Sequence, residues 1–489
     1  MKKKFMFIYE KVAEDIARAV SGGQLLPGVR IPSIRDYAIT HGISINSVKT
    51  AYRLLEDRGI ITARSQSGYF VNPRVPELSY PEKIYAPDET LPLSGISHLL
   101  SVIVEKQQNG DYTDLAMACP TGEQFYPAGR LKKMVSQVLR SAKNFQSTYA
   151  LPPGPMRLRS QIARRGLQLG MLLSAENILI THGAMEALSL AVRASTRPGD
   201  CIALEVPTFY NLYPMLEDLG RRIIGIPTHP LEGMCLNTLE HTVSEQNVRA
   251  VITVPSGQNP LGFTMSVENR QRLARMASEN KFAVIEDAVY ADLQYCKAPV
   301  PNIKAFDEDG WVIVCASYTK TLSPDFRVGW LEAGRFRERA RQLKFTSTVA
   351  EPALLSETLG MFLENGSYDL HLRHLRRLYN AQIDAFRVCI AQSFPAGTRV
   401  SRPQCGFILW IELPGGIDTL TLFHKALDEK ILCMPGLLCS GSRAFSHCLR
   451  LAVCFELSER HVMGIKRLGH LAQHLLNNEL HTADVQPQT

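Results

Sequence analysis

Apolar residues recur every four positions at Ile8, Val12, Ile16 and Val20, which predicts an amphipathic helix. The run SGGQLLPG breaks it. Ser33 then caps a second short helix, SIRDYAIT, and Gly42 turns the chain. Ser44 caps a third, SINSVKTAYRLLEDRG, which Gly59 ends. Ile45, Val48, Tyr52 and Leu55 form its expected buried stripe, and Asn46, Lys49, Thr50 and Arg53 fall on other faces. IIT and YFV read as two short strands around the polar turn ARSQSG. Three helices and a β-hairpin within residues 1–72 predict a winged helix-turn-helix.

Beyond it the period disappears. Pro73, Pro76, Pro81, Pro87 and Pro92 mark a semi-extended linker, and ISHLLSVIVEKQQ restores helical spacing. Residues 73–112 are therefore expected to be linker and bridging helix. Over 113–480 short apolar runs alternate with helices: NILIT, CIALEV, AVITV, FAVIED and WVIVCAS are the strands. Continuous apolar strands between helices predict an α/β unit whose parallel sheet is covered on both faces. The basic amphipathic helix LHLRHLRRLYNAQIDAF and the runs FILWIEL and LRLAVCF predict a smaller α+β subdomain near its C-terminus. The tail 481–489 is expected to fray.

Composition adds little to this picture and excludes some classes. With 45% apolar and 21% charged residues in 489, the chain is globular rather than disordered. The net charge of +7 is uneven: residues 1–72 hold 11 Lys+Arg against 6 Asp+Glu. A basic head on a nearly neutral body fits a polyanion partner, and equally an ordinary soluble surface. Eleven cysteines contain no Cys-x-x-Cys pair, so they read as small buried hydrophobes of a reduced protein. No apolar run reaches the roughly 20 residues that span a bilayer, and the amphipathic N-terminus is no signal peptide, which predicts a cytoplasmic protein.

In the head, the third helix would enter the major groove. Ser44, Asn46 and Ser47 lie at its start, and Lys49 and Arg53 suit phosphates along the groove wall. Arg35, just after the Ser33 cap, could read a guanine. Arg64, Ser65 and Gly68 form the wing tip. Pattern alone fits a dimerisation or adaptor module as well. The stretch LLPGVRIPSIRDYAITHGISINSVKTAYRLLEDRGIITARSQSGYFV, however, resembles the GntR-type winged helix throughout its length. Ile45 stands where many members carry arginine, so the resemblance implies that base reading rests more on Arg35 and Asn46.

The body's strongest signal is SYTKTLSPDFRVGW. Lys320 follows a buried strand, where ligands of α/β sheets bind, and a partly desolvated amine there forms Schiff bases. Ser317 and Arg327 offer a hydroxyl and a guanidinium to a phosphate. Asp287 ends the strand of VIEDAVYADL, with Tyr290 three residues on. Asn259 ends another in VPSGQNPLG, and Phe209 in EVPTFYNLY presents a flat face. Gly183, Ala184 and Met185 open a helix whose free N–H groups favour a phosphate. Singly, each is equally a capping, turn or packing residue.

Their order and spacing resemble the fold-type I pyridoxal-phosphate enzymes, the aspartate-aminotransferase superfamily, from Asp114 to about residue 475. The resemblance implies Lys320 as the lysine that carries pyridoxal 5'-phosphate and Asp287 as the partner of the pyridine nitrogen. It implies Asn259 and Tyr290 for the phenolate oxygen and Phe209 for ring stacking. Ser317, Arg327 and the Ala184–Met185 backbone would hold the phosphate. Tyr149 resembles the tyrosine that reaches the neighbouring subunit's phosphate, and Arg450 the arginine that grips a substrate α-carboxylate. Gly122 matches the segment that closes over the ligand. Leu261 replaces the usual Thr or Ser, and Ala184 and Met185 lack hydroxyls, which leaves the phosphate to backbone and Arg327. No metal site is expected: H-E-x-x-H is absent, and His371 and His374 sit on a basic face.

Head and body together resemble the MocR subgroup of bacterial regulators. That resemblance implies a homodimer that binds a double-stranded DNA operator and responds to a small amine, amino acid or B6 vitamer. A working aminotransferase with an appended DNA-binding head is the competing expectation. A head that binds only protein is the third.

Overall fold

The computed structural model describes residues 7–21, 24–25, 28–57, 60–64, 67–72, 78–86, 93–108, 110–141, 149–296 and 298–483. Gly59, Ser65, Pro73, Pro76, Pro87, Pro92, the Arg64 side chain and the tail past Ala483 lie outside them. The chain divides into two compact units, 1–78 and 79–489.

In the first unit, helices span Ile8–Ser21, Ile34–His41 and Ile45–Asp57, and strands Ile61–Arg64 and Gly68–Val71 pair antiparallel. The caps act as their chemistry requires. The Ser33 hydroxyl accepts the Asp36 N–H at 3.2 Å, Gly42 closes its helix at φ 63°, and the Ser44 hydroxyl accepts the Ser47 N–H at 3.1 Å. Val12, Ile16, Val48, Ala51, Tyr52 and Leu55 form the core, and the Tyr52 hydroxyl donates to the Pro32 carbonyl at 2.8 Å. Ile45 departs from its expected burial and is 54% exposed. As the first helical residue it points toward the helix N-terminus, off the end of the core. Gly28–Ile31 adds unforeseen pairing to the hairpin: Ile31 N–H donates to Tyr69 O, and Val71 N–H to Val29 O, both at 2.9 Å.

The second unit is built on an eight-stranded sheet. Its spatial order is Ile178–Thr181, Gly329–Glu332, Val312–Ser317, Ala283–Asp287, Val248–Thr253, Cys201–Val206, Arg222–His229 and Gly233–Met234. The run from Val312–Ser317 to Arg222–His229 is parallel, as expected. Gly329–Glu332 runs antiparallel to both neighbours, which corrects the all-parallel expectation. The connection 318–328 is shorter than the dozen or more residues a parallel crossover needs, so the chain returns beside Val312–Ser317. Gly329 is required there, because a Cβ would lie 2.5 Å from the Gly183 backbone.

Alternate strand residues enter two cores on opposite faces. Ala203, Val251, Val284 and Val312 join one; Ile202, Ile252, Ile285 and Ile313 join the other. Helices therefore cover the sheet on both sides, and the strand C-termini remain open for a site.

A four-stranded antiparallel sheet, ordered Arg399–Val400, Ile408–Glu412, Cys448–Ala452 and Met434–Pro435, forms the smaller subdomain with helices Ser367–Ser393, Thr419–Asp428 and Glu459–Ala483. Residues 79–86, inside the expected linker, pack on this unit. The Tyr85 hydroxyl lies 2.8 Å from His447 Nε2, and Val400 N–H donates to Ser79 O at 3.0 Å. Tyr85 supplies the apolar area for this packing, its ring lying 5.3 Å from that of Phe445. All eleven cysteines are free. Among the described residues no helix is long and apolar enough to cross a membrane.

Candidate functional site

A cavity of about 230 Å³ opens where the parallel strands end. Lys320, Asp287, Tyr290, Asn259, Phe209, Ser317, Arg327, Ala184 and Met185 all line it, so residues scattered over the sequence meet in one place. Four strand ends supply them, together with the first turn of helix Gly183–Ser195.

Lys320 is half-buried, and its ammonium donates to the Ala118 carbonyl. Desolvation lowers its pKa, so more of it is free amine near neutrality than for an exposed lysine. Asp287 is 4% exposed and accepts the Val289 N–H at 3.2 Å. Burial pushes its carboxyl up to about 7, against the opposing pull of that hydrogen bond and of Lys320. Tyr290 is fully buried, which raises its phenol and keeps it a donor. Its ring meets Phe407 edge-on at 5.4 Å.

One end of the cavity is a cradle of backbone and guanidinium. Helix Gly183–Ser195 starts without a side-chain cap, so its first N–H groups are available to an anion. Gly183 has φ 76°, and a Cβ there would lie 2.7 Å from Arg327 Nη2. Arg327 itself reaches Thr319 Oγ1 and the His182 carbonyl at 3.5 Å each. Behind it, His182 Nε2 lies 3.0 Å from Glu351, and His182 N–H donates to Glu186 at 2.7 Å. His182, Glu186 and Glu351 are clustered closely enough for a metal, but the Lys344 ammonium already bonds both carboxylates.

Arg450 is 1% exposed on strand Cys448–Ala452. It donates to the Ala116 carbonyl and, at 3.4 Å, to Asn259 Oδ1, while its Nε has no partner. It stands behind the lining rather than in it, with its guanidinium 5.9 Å from the Tyr210 ring. Gly122, at φ 111°, is exposed and outside the lining, as is Tyr149 at 78% exposure. Met117, Ala118, Cys119, Tyr210, Asn211 and Thr319 also line the cavity and were not anticipated. Tyr210 and Thr319 adjoin motif residues and could have been found. Ala118 carries no chemical signature, since it contributes its backbone carbonyl.

The other sequence candidates lie on the first unit. Arg35, Ser44, Asn46, Lys49 and Arg53 are exposed, Ser33 and Ser47 half-buried. The two serine hydroxyls at 44 and 47 bond each other at 2.8 Å. Gly68 has φ 98° beneath the Arg30 guanidinium. His371 and His374 bond separate carbonyls, of Thr321 and Gln124.

Residues 120–461 match the family Aminotransferase class I and II, and residues 8–71 match Bacterial regulatory proteins, gntR family. An uncharacterized HTH-type transcriptional regulator, YdcR of Escherichia coli (strain K12), is 32% identical over 468 residues, 96% of this chain and 99% of that one. Aromatic-amino-acid aminotransferase 1 of Thermococcus litoralis is 30% identical over 383 residues, 77% of this chain and 90% of that one. The solved α-aminoadipate aminotransferase LysN of Thermus thermophilus, complexed with N-(5'-phosphopyridoxyl)-L-leucine, is similar at a TM-score of 0.71 and 25% identity, covering 79% of this chain and 98% of that one. The aminotransferase match spans well over half the chain, and the regulator match runs through both units. The chain thus belongs to the aminotransferase class I and II family and, with its gntR-type head, to the MocR type of HTH regulators.

Proposed function

We propose that this chain is a pyridoxal-phosphate-dependent, DNA-binding transcription regulator that senses a small amine, amino acid or B6 vitamer. The observation that carries the reading is the meeting of Lys320, Asp287, Asn259 and Tyr290 in one cavity, on a chain with a gntR-type head. The donor set fits the cofactor. Asp287 would offer its carboxyl to a ring nitrogen, Asn259 and Tyr290 would offer donors to a phenolate oxygen, and Phe209 a flat face. The uncapped turn at Ala184–Met185, Ser317 and Arg327 suit a phosphate dianion. When bound, the cofactor supplies an aldehyde that captures amines and a ring that withdraws electrons.

The chain's own residues do the rest. Desolvation of Lys320 favours its neutral amine over the ammonium, and Nζ is placed to take up or release a proton. Arg450 orients an effector carboxylate from behind the lining. The Gly122 segment covers the ligand. Tyr149, exposed in one chain, serves the neighbouring chain's phosphate in a homodimer. Effector binding then changes the head arrangement that spans two operator half-sites, which requires different effector affinities for the two arrangements. Ser33, Arg35, Ser44, Asn46, Ser47, Lys49, Arg53, Arg64 and Gly68 contact the DNA. The assigned extents are 1–72 for the head, 73–112 for linker and bridging helix, 113–480 for the body and 481–489 for the tail, in a cytoplasmic protein.

A working aminotransferase is the second reading, favoured by the full set of chemical residues in the cavity. One experiment separates the two. The visible spectrum of the protein and of Lys320→Ala is recorded with an amino-acid panel, alongside operator binding and keto-acid release. A visible band that depends on Lys320, shifts with one amine and alters DNA affinity without turnover supports the regulator. Multiple-turnover keto-acid production supports the enzyme. A chain that takes up no cofactor defeats both.

A further inference from the structure

A second cavity, of about 40 Å³, lies behind the first and shares Ser317 and Val289 with it. Asn302 lines it and is completely buried, yet neither its Oδ1 nor its Nδ2 has a hydrogen-bond partner. Arg165 Nη2, on the same wall, is likewise buried without one. Leaving a buried amide unpaired costs as much as a lost hydrogen bond or more, so native interiors rarely tolerate it. Two such groups on residues that line one small space point to a ligand in it.

The chemistry narrows that ligand. The Arg165 charge is already met by Asp369 at 2.7 Å and Asp292 at 3.6 Å, and its guanidinium stacks 4.3 Å over the Tyr368 ring. The Tyr368 hydroxyl in turn lies 2.8 Å from Asp292 Oδ2 and 2.7 Å from Thr321 Oγ1. An anion would face two carboxylates and a cation would face the guanidinium, so a neutral molecule fits best. It must both donate and accept, because Asn302 offers each. The volume has room for about one to three waters and for little else.

We infer that this cavity is a built site for ordered water, held by Asn302 and Arg165, which supports the Ser317 hydroxyl from behind. Asn302 is then a positioning residue that acts on the cofactor's phosphate end through water and Ser317. That second step rests on the cofactor reading above; the water site does not.

The test is a crystal structure of the full chain at a resolution that shows water, with visible-absorbance titrations of pyridoxal phosphate into Asn302→Leu and Asn302→Ser. Density within hydrogen-bond distance of both Asn302 side-chain atoms is expected. Leu matches Asn in size but cannot hold water, and should raise the cofactor Kd about tenfold. Ser keeps a hydroxyl and leaves room for one more water, and should stay within about threefold of the unmodified chain. A dry cavity, or density larger than water, overturns the site. A folded Asn302→Leu with unchanged Kd overturns the link to Ser317. The density is read with or without cofactor, so failure to bind cofactor defeats the functional reading alone, and a Leu variant that does not fold leaves the density to decide.

Discussion

Gly183 and Arg327 approach so closely that a Cβ on the glycine would lie 2.7 Å from the guanidinium. The glycine's φ of 76° is itself costly for any L side chain, by about 1–2 kcal/mol. Gly183→Ala should therefore strain the first helical turn and displace Arg327 from the cradle proposed for a phosphate. A roughly tenfold weaker uptake of pyridoxal phosphate is expected, read by absorbance titration. Unchanged affinity would remove Arg327 from the cradle.

Asp287 should make the cofactor-free protein less stable as pH rises. Burial holds its carboxyl near 7 in the folded chain, against about 3.9 when unfolded. Between those values the folded state binds more protons, so stability is greatest below the lower value and falls through the upper one. Glu205 and Glu351, also pushed up to about 7, act with the same sign. His182, His371, His447 and His461 are lowered by burial, and stability from them is lost as pH falls. Comparing Asp287→Asn with the unmodified chain isolates the one term. The Tm loss between pH 5 and pH 8 should shrink by a few degrees in the variant. An identical pH profile would mean that Asp287 is ionised throughout.

Much of this site was legible because its chemistry sits at strand ends. Asp287 closes an apolar run and Lys320 follows one by three residues, so the run locates the residue, whereas Asn259 lies six residues past strand Val248–Thr253. The helix caps Ser33 and Ser44 were legible for the same local reason. What escaped depends on distant packing. Ala118 contributes a carbonyl, which no residue type announces. Strand Gly329–Glu332 is four residues long, and its direction follows from connection length rather than pattern. Ile45 fits the helical stripe, and only the end of the core leaves it exposed. Asn302 and Arg165 meet across 137 positions of sequence, so nothing local pairs them.

Arg450→Ala should separate effector sensing from cofactor binding. The guanidinium touches Asn259 and the Ala116 carbonyl but does not line the cavity. On the proposed reading, losing it removes the buried positive charge that meets an effector α-carboxylate, which is worth about tenfold or more in affinity. The visible band of the bound cofactor should persist, while the spectral and DNA-binding response to α-amino acids is lost. A full response in the variant would mean that the effector carries no carboxylate.

Arg35→Ala tests the head independently of the body. Arg35 is exposed on the first turn of helix Ile34–His41, which Ser33 fixes by its cap, so truncation should leave the fold intact. A bidentate contact to one guanine is worth about 1–3 kcal/mol of discrimination. Affinity for an operator selected from random DNA should then fall roughly 5- to 100-fold by fluorescence anisotropy at fixed salt. Binding to unrelated DNA should fall far less, since the phosphate contacts proposed for Lys49 and Arg53 are untouched. The pyridoxal-phosphate spectrum should be unchanged. A uniform loss on all sequences would place Arg35 on the phosphates instead, and pass base reading to Asn46.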